Sequence, residues 1–197
     1  MPTEGNHVIS VGSVGPSTMK ADFSNWGSEQ TDVTAPGGFF RDNFGTPQYR
    51  TVENLILSAY PESLAHLYGD IDEPGGEPNN PFVVRDCQGG TCAYYQYLQG
   101  TSMASPHAVG VAALIVSQYG KRDGGKKSGQ LEMKPKEVER ILTRTATDHA
   151  CPNPPLISYA SIGRPASYDA LCTGNRDFNS IWGDGIVDAL AAVSGKK

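Results

Sequence analysis

Residues 103–119 (MASPHAVGVAALIVSQY) constrain the fold most, because Ala104, Ala108, Val109, Val111, Ala112, Ala113, Leu114, Ile115 and Val116 leave a helix almost no polar face. A helix of that kind is expected to be central and buried. Its one proline, Pro106, is expected in the first turn, where a missing N–H breaks no ladder bond. Residues 94–98 (YYQYL) read as a strand running straight into Gly100-Thr101-Ser102 and the helix. Residues 8–14 (VISVGSV) form a β-branched run too short for a helix and read as a strand buried on both faces. Two more strands are expected at 32–35, closed by Pro36-Gly37-Gly38, and at 54–59 (NLILSA). Further helices are expected at 135–145, with Val138, Ile141 and Leu142 on one face, and at 186–193. The Gly- and Lys-rich residues 121–134 read as a solvated linker. Strands followed by buried helices indicate an α/β class with a largely parallel sheet.

The chain has 197 residues, enough for one domain or most of one. Sixteen basic against 21 acidic side chains, net −5, speak against a nucleic-acid partner, and no run of about 20 apolar residues exists to span a membrane. Residues 60–91 turn polar and rich in Gly and Pro, and read as one long surface excursion without structure of its own. Within it Asp70, Asp72 and Glu73 lack the spaced oxygen donors of an EF-hand and read as a charged surface loop. Tyr94, Tyr95 and Tyr97 are expected to pack as strand residues.

Cys87, Cys92, Cys151 and Cys172 fall as two sequence-local pairs in loop-like stretches. Of three connectivities, Cys87–Cys92 and Cys151–Cys172 is the expected one, which suggests an oxidising compartment. Four reduced thiols are the alternative, and no cysteine spacing suits zinc. The first residues carry no signal peptide, so the chain is expected to be a mature or internal segment of a secreted protein.

The chemistry concentrates in Gly100-Thr101-Ser102-Met103-Ala104-Ser105-Pro106-His107. A serine at a strand-to-helix junction sits where backbone N–H groups are unpaired and the helix dipole is positive, which suits an oxyanion of acyl transfer. An ordinary N-cap serine is the simpler reading of the turn alone.

GTSMASPH followed by AVGVAALI resembles the nucleophile-serine motif of the subtilisin family of serine peptidases. Residues 21–27 (ADFSNWG) with 32–37 (DVTAPG), and residues 182–189 (WGDGIVDA), are similar to two further segments of that family, in the same order. The resemblance implies part of a three-layer αβα fold covering residues 1–194, with 60–91 as a surface insertion and the N-terminal part missing. It implies Ser102 as nucleophile and backbone oxyanion donor, with Thr101 in support. It further implies protein or peptide substrates, no required cofactor, secretion, and the missing N-terminal part as a partner. A structural calcium fits such a family, with Asp32 as a weak candidate ligand that reads more simply as a solvated turn residue.

A serine needs a base, and the family supplies a histidine oriented by an aspartate, both upstream of the serine. Neither the D-[ST]-G nor the H-G-T context occurs in this chain, and the segment carrying the oxyanion asparagine is missing too. His7, His66 and His149 stand in other contexts, and His107, five residues along the serine's own helix, points away from it. The fragment alone is therefore expected to be inactive. Two rivals stay open: an α/β-hydrolase esterase using Ser102, Asp123 and His149, and a non-catalytic peptide-binding module on the peptidase scaffold.

Overall fold

The computed structural model describes residues 5, 8–122 and 131–195. Strand β1 (Val11–Val14) pairs in parallel with β2 (Val33–Pro36), Val11 opposite Val33. Ile186 adds a parallel bridge to Thr34 on the far side of β2. Val14, Val33 and Thr34 are buried and Val11 partly so, whereas Val8, at the start of the expected strand, lies outside β1 and is exposed. Helix α2 (Thr101–Tyr119) packs on both strands, and α3 (Pro135–Thr145) and α4 (Ala189–Ser194) pack on α2. The fold is thus of the mixed α/β class, with one parallel pair of strands and antiparallel pairing in separate sheets of two or three strands.

Helix α2 corrects two expectations. It begins two residues earlier, because Gly100 caps it, so Pro106 falls in the second turn and removes the N–H that would bond the Ser102 carbonyl. It is also covered on one side only. Ala104, Ala108, Val111 and Ile115 bury a stripe at helical spacing, whereas Val109 is 63% and Leu114 46% exposed. The apolar sequence exceeds what this chain's own layers cover.

α3 starts with Pro135 at its first turn and buries Ile141 and Leu142 beside Val138, as its periodicity predicts. The last helix starts later than expected. Ile186 is held extended by bridges to Thr34 and Thr147, and Asp188 then caps α4 by accepting the Ala191 N–H at 2.8 Å. The ends of the 121–134 linker pair as β6 (Lys121–Arg122) and β7 (Leu131–Glu132), and its middle lies outside the described residues.

Residues 60–91 do not form a structureless excursion. Strand β3 (Ile56–Tyr60), helix α1 (Glu62–Leu67), β4 (Val83–Gln88) and β5 (Thr91–Leu98) build an antiparallel sheet of order β3-β5-β4. Its own small core joins Ala65, Ile71, Val83 and Tyr94, with Tyr60 beside them. The acidic loop is structural: Asp70 accepts the Tyr60 hydroxyl at 2.8 Å and the Asn80 amide at 2.6 Å, and Asp72 accepts the Asn79 amide at 3.1 Å.

Both expected disulfides are present. Cys87 and Cys92 face each other directly across β4 and β5, and Cys151–Cys172 ties the hairpin of β8 (Leu156–Ile157) and β9 (Ala170–Leu171) to the core of Val14, Phe39, Tyr159 and Trp182. On a chain-entropy basis the two closures contribute about 2 and about 3 kcal/mol.

Candidate active site

The turn that presents Ser102 is tied to the ends of the parallel strands. The Gly100 N–H donates to the Gly37 carbonyl at 2.8 Å, and the Gly37 N–H donates to the Val14 carbonyl at 3.1 Å. Gly100 holds φ 155°, a conformation that side-chain-bearing residues rarely adopt. The N–H groups of Met103 and Ala104 turn back onto the Gly100 carbonyl at 3.0 and 3.2 Å. Among the described residues the N–H groups of Thr101 and Ser102 meet no acceptor, which leaves two donors at the positive end of a long helix. Pro106 offers no N–H to the Ser102 carbonyl.

Ser102 is exposed and opens onto a cavity of about 790 Å³ that Thr101 and Ser105 line from α2, Val11 and Gly12 from β1, and Trp26 from the following loop. The arrangement offers a hydroxyl, adjacent N–H donors and room for an extended chain. Lys20 and Asp22 line the same cavity from within, at 1% and 5% exposure. Asp22 accepts the Arg164 Nε at 2.5 Å, with Arg41 at 3.8 Å. Lys20 donates to the Ala21 carbonyl at 3.0 Å and lies 5.5 Å above the Tyr159 ring, whose hydroxyl donates to the Lys20 carbonyl at 2.7 Å. Sequence reasoning missed Lys20, because nothing local distinguishes it from a solvated lysine beside a turn.

Burial pushes the Lys20 ammonium down from 10.5 to about 8, with Asp22 opposing in part. The unfolded lysine keeps its proton to its ordinary value, so between these limits unfolding takes up a proton and stability rises with pH. We expect the denaturation midpoint to report a gain of about 2 kcal/mol from pH 8 to 10, and Lys20→Met to remove that slope. A wild-type slope that survives in Lys20→Met would mean the ammonium is solvated. Above pH 10 the effect reverses, since burial, then Asp22 and Asp169, hold the Tyr159 phenol protonated in the fold while the unfolded phenol ionises.

None of the described histidines lines this cavity. His66 sits on α1, and His107 spends its Nδ1 on the Met103 carbonyl at 2.8 Å on its own helix. His149 stacks on Trp182 with ring centroids 4.0 Å apart and meets the Thr18 hydroxyl at 3.0 Å. His7 and Asp123 lie outside the described residues. The esterase arrangement thus does not bring His149 to Ser102. The Asp32 carboxylate accepts the Ser10 N–H at 2.6 Å, and the described residues hold no group of three His, Cys, Asp or Glu side chains suited to a metal.

The comparisons with known proteins agree with this architecture. A lanthipeptide protease of known structure is similar over 99% of this chain and 44% of its own, at 26% identity and a TM-score of 0.59. The epidermin leader peptide processing serine protease EpiP from Staphylococcus aureus shares the fold over 99% of this chain and 32% of its own, at 23% identity and a TM-score of 0.52. The chain therefore spans less than half the length of either. A search of curated protein sequences gives no match. The family model described as Subtilase family, Peptidase S8, matches residues 1–159, from β1 through the serine-bearing helix and beyond. On that match, which spans the glycine-held serine turn, the chain belongs to the subtilase family of serine proteases.

Proposed function

We propose that this chain carries the nucleophile of a secreted subtilisin-like serine endopeptidase. The exposed Ser102 beside the free N–H groups of the α2 start is the observation that carries the reading. Ser102 Oγ attacks the carbonyl carbon of the scissile bond and passes its proton to a histidine supplied from outside these residues. The carbonyl π electrons move onto oxygen, which accepts a hydrogen bond from the Ser102 N–H, with Thr101 in support and the family's asparagine contributed likewise from outside. Collapse of the tetrahedral adduct breaks the C–N bond, and the histidine protonates the leaving amine. Water then hydrolyses the acyl-serine by the same steps in reverse roles.

The bare apolar face of α2 and the outer side of β1, both bordering what this chain covers, take the remaining part of the same domain. That segment would bring the base and its orienting aspartate. The two disulfides support secretion, and the name of the lanthipeptide protease supports peptides as the substrate class. A non-catalytic peptide-binding module is the second reading, favoured by the absence of any described histidine from the cavity.

Labelling by a fluorophosphonate probe separates the two. Ser102 Oγ displaces fluoride from phosphorus only when a base takes its proton. Ser102 should be labelled in the full-length polypeptide, and in this chain only after the missing part is added. No labelling in the full-length polypeptide would favour the module.

A further inference from the structure

The lobe of β3, β4, β5 and α1 has two faces, and strand alternation assigns residues to each. Tyr94 and Val83 point toward α1 and the small core, so their neighbours Tyr95, Tyr97, Leu57 and Val84 lie on the opposite face by register. Phe40 packs edge-on against Phe82 at the end of that face nearest the serine turn, Val84, Tyr95 and Tyr97 are half-buried, and Leu57 is 45% exposed. It is an apolar and aromatic sheet face that stays partly open around Leu57. A cleft of about 360 Å³ adjoins it, lined by Ala59, Ala93 and Tyr95 from this face and by Tyr60, Cys92 and Tyr94 from the other, with Glu62, whose carboxylate accepts the Gly75 N–H, also lining it.

Charge is as uneven as hydropathy. Between Ile56 and Leu98 the chain carries Glu62, Asp70, Asp72, Glu73, Glu77 and Asp86 against Arg85 alone. The lobe therefore holds a net charge of −5, equal to that of the whole chain, and the remaining residues balance to zero. Asp86 is exposed and shares the outer face with Tyr95. A field of one sign beside an open apolar face selects a ligand that is cationic and apolar together.

Continuity says which ligand that is. The central strand β5 ends at Leu98, four residues before Ser102, and Gln99 accepts the Phe40 N–H at 2.6 Å where the lobe meets the serine turn. A peptide lying over the lobe is thereby attached to the same rigid turn that presents the nucleophile. Resting on the peptidase reading above, we infer that the outer face of this lobe and its adjoining cleft form an exosite that holds a basic, apolar segment of the peptide substrate away from the scissile bond. Aliphatic side chains lie on Leu57, Tyr95 and Tyr97, and lysine or arginine side chains reach Glu62 and Asp86 with their stems along the sheet.

Binding is measured on the full-length polypeptide carrying Ser102→Ala, by fluorescence polarisation of a short fluorescein-labelled peptide of lysine, leucine and glycine and of its counterpart with glutamate for lysine. The lysine peptide should bind, more weakly as salt rises, and the glutamate peptide should not. Leu57→Asp should weaken binding about tenfold. Asp86→Lys should weaken it about fivefold, and Asp86→Asn, which keeps the shape of the side chain, about twofold. Persistence of the Cys87–Cys92 bridge in peptide maps shows that each variant keeps its hairpin. Equal binding of the two peptides, or binding indifferent to both Asp86 variants, would overturn the exosite. Fluorophosphonate labelling of Ser102 in the parent protein reads the catalytic assignment separately. Labelling with peptide binding indifferent to these variants removes the exosite alone, and variant-sensitive binding without labelling removes the peptidase alone.

Discussion

Replacing Ser102 with alanine in the assembled protease should lower kcat for peptide hydrolysis by about six orders of magnitude, the scale found when the nucleophile of a serine peptidase of this family is removed. The loss is chemical. Ser102 is exposed, its hydroxyl supports no described packing, and its exchange for alanine favours the helix, so the melting temperature should not fall. The N–H groups of α2 remain, and peptide affinity should persist because ground-state binding does not need Oγ. Initial-rate and single-turnover kinetics on an internally quenched peptide check this. Residual turnover within tenfold of the parent would mean that another group attacks the carbonyl. On the proposed reading, in which base, orienting carboxylate and asparagine come from outside these residues, the 197-residue chain by itself should show no such turnover to lose, since those groups act as a unit with the serine.

Gly37→Ala should also be damaging, by geometry instead of chemistry, though by about two orders of magnitude in rate rather than about six. A Cβ at Gly37 would stand 2.2 Å from the Ser13 hydroxyl and 2.6 Å from the Gly100 carbonyl oxygen. The first neighbour is fully buried in β1 and the second is backbone at the cap of α2, so neither side yields cheaply. Overpacking of that kind costs about 3 kcal/mol. The Gly100 turn also loses its hold on the Gly37 carbonyl, which moves Ser102 relative to the strands. A displacement of about 1 Å at a nucleophile is worth about a hundredfold in rate. The rate of fluorophosphonate labelling and the denaturation midpoint should therefore fall together in the full-length protein, and Gly37→Ala with both unchanged would show that the turn relaxes freely.

Gly37 also shows where sequence reading stops. Pro36-Gly37-Gly38 is legible as the end of a strand, because Pro and Gly punctuate locally. That Gly37 is needed for the approach of Gly100, more than sixty positions later, is not legible, since the two meet only when β2 and the serine turn dock. The lobe behaves likewise. Its core draws Tyr60, Ala65, Ile71, Val83 and Tyr94 from separate elements, spread along a stretch that is mostly polar and rich in Gly and Pro between its first and last strands. No periodic run announces them, and the segment reads as a loop. The disulfides were accessible for the opposite reason, being closures between residues close in sequence.

What the sequence determined by itself is what a few consecutive residues encode: the apolar helix, the β-branched strands, the glycine-led serine turn and hence the family. Those signals are set by helical and strand periodicity and by turn chemistry over a handful of positions. The tertiary structure alone decided that α2 is covered on one side only, that Lys20 is buried deeply enough to lose much of its basicity, that no described histidine reaches the cavity, and that the acidic segment folds into a sheet with an open aromatic face. Each of these depends on which distant residues come to lie against a side chain, because burial and the electrostatics that follow from it are properties of the packed neighbourhood.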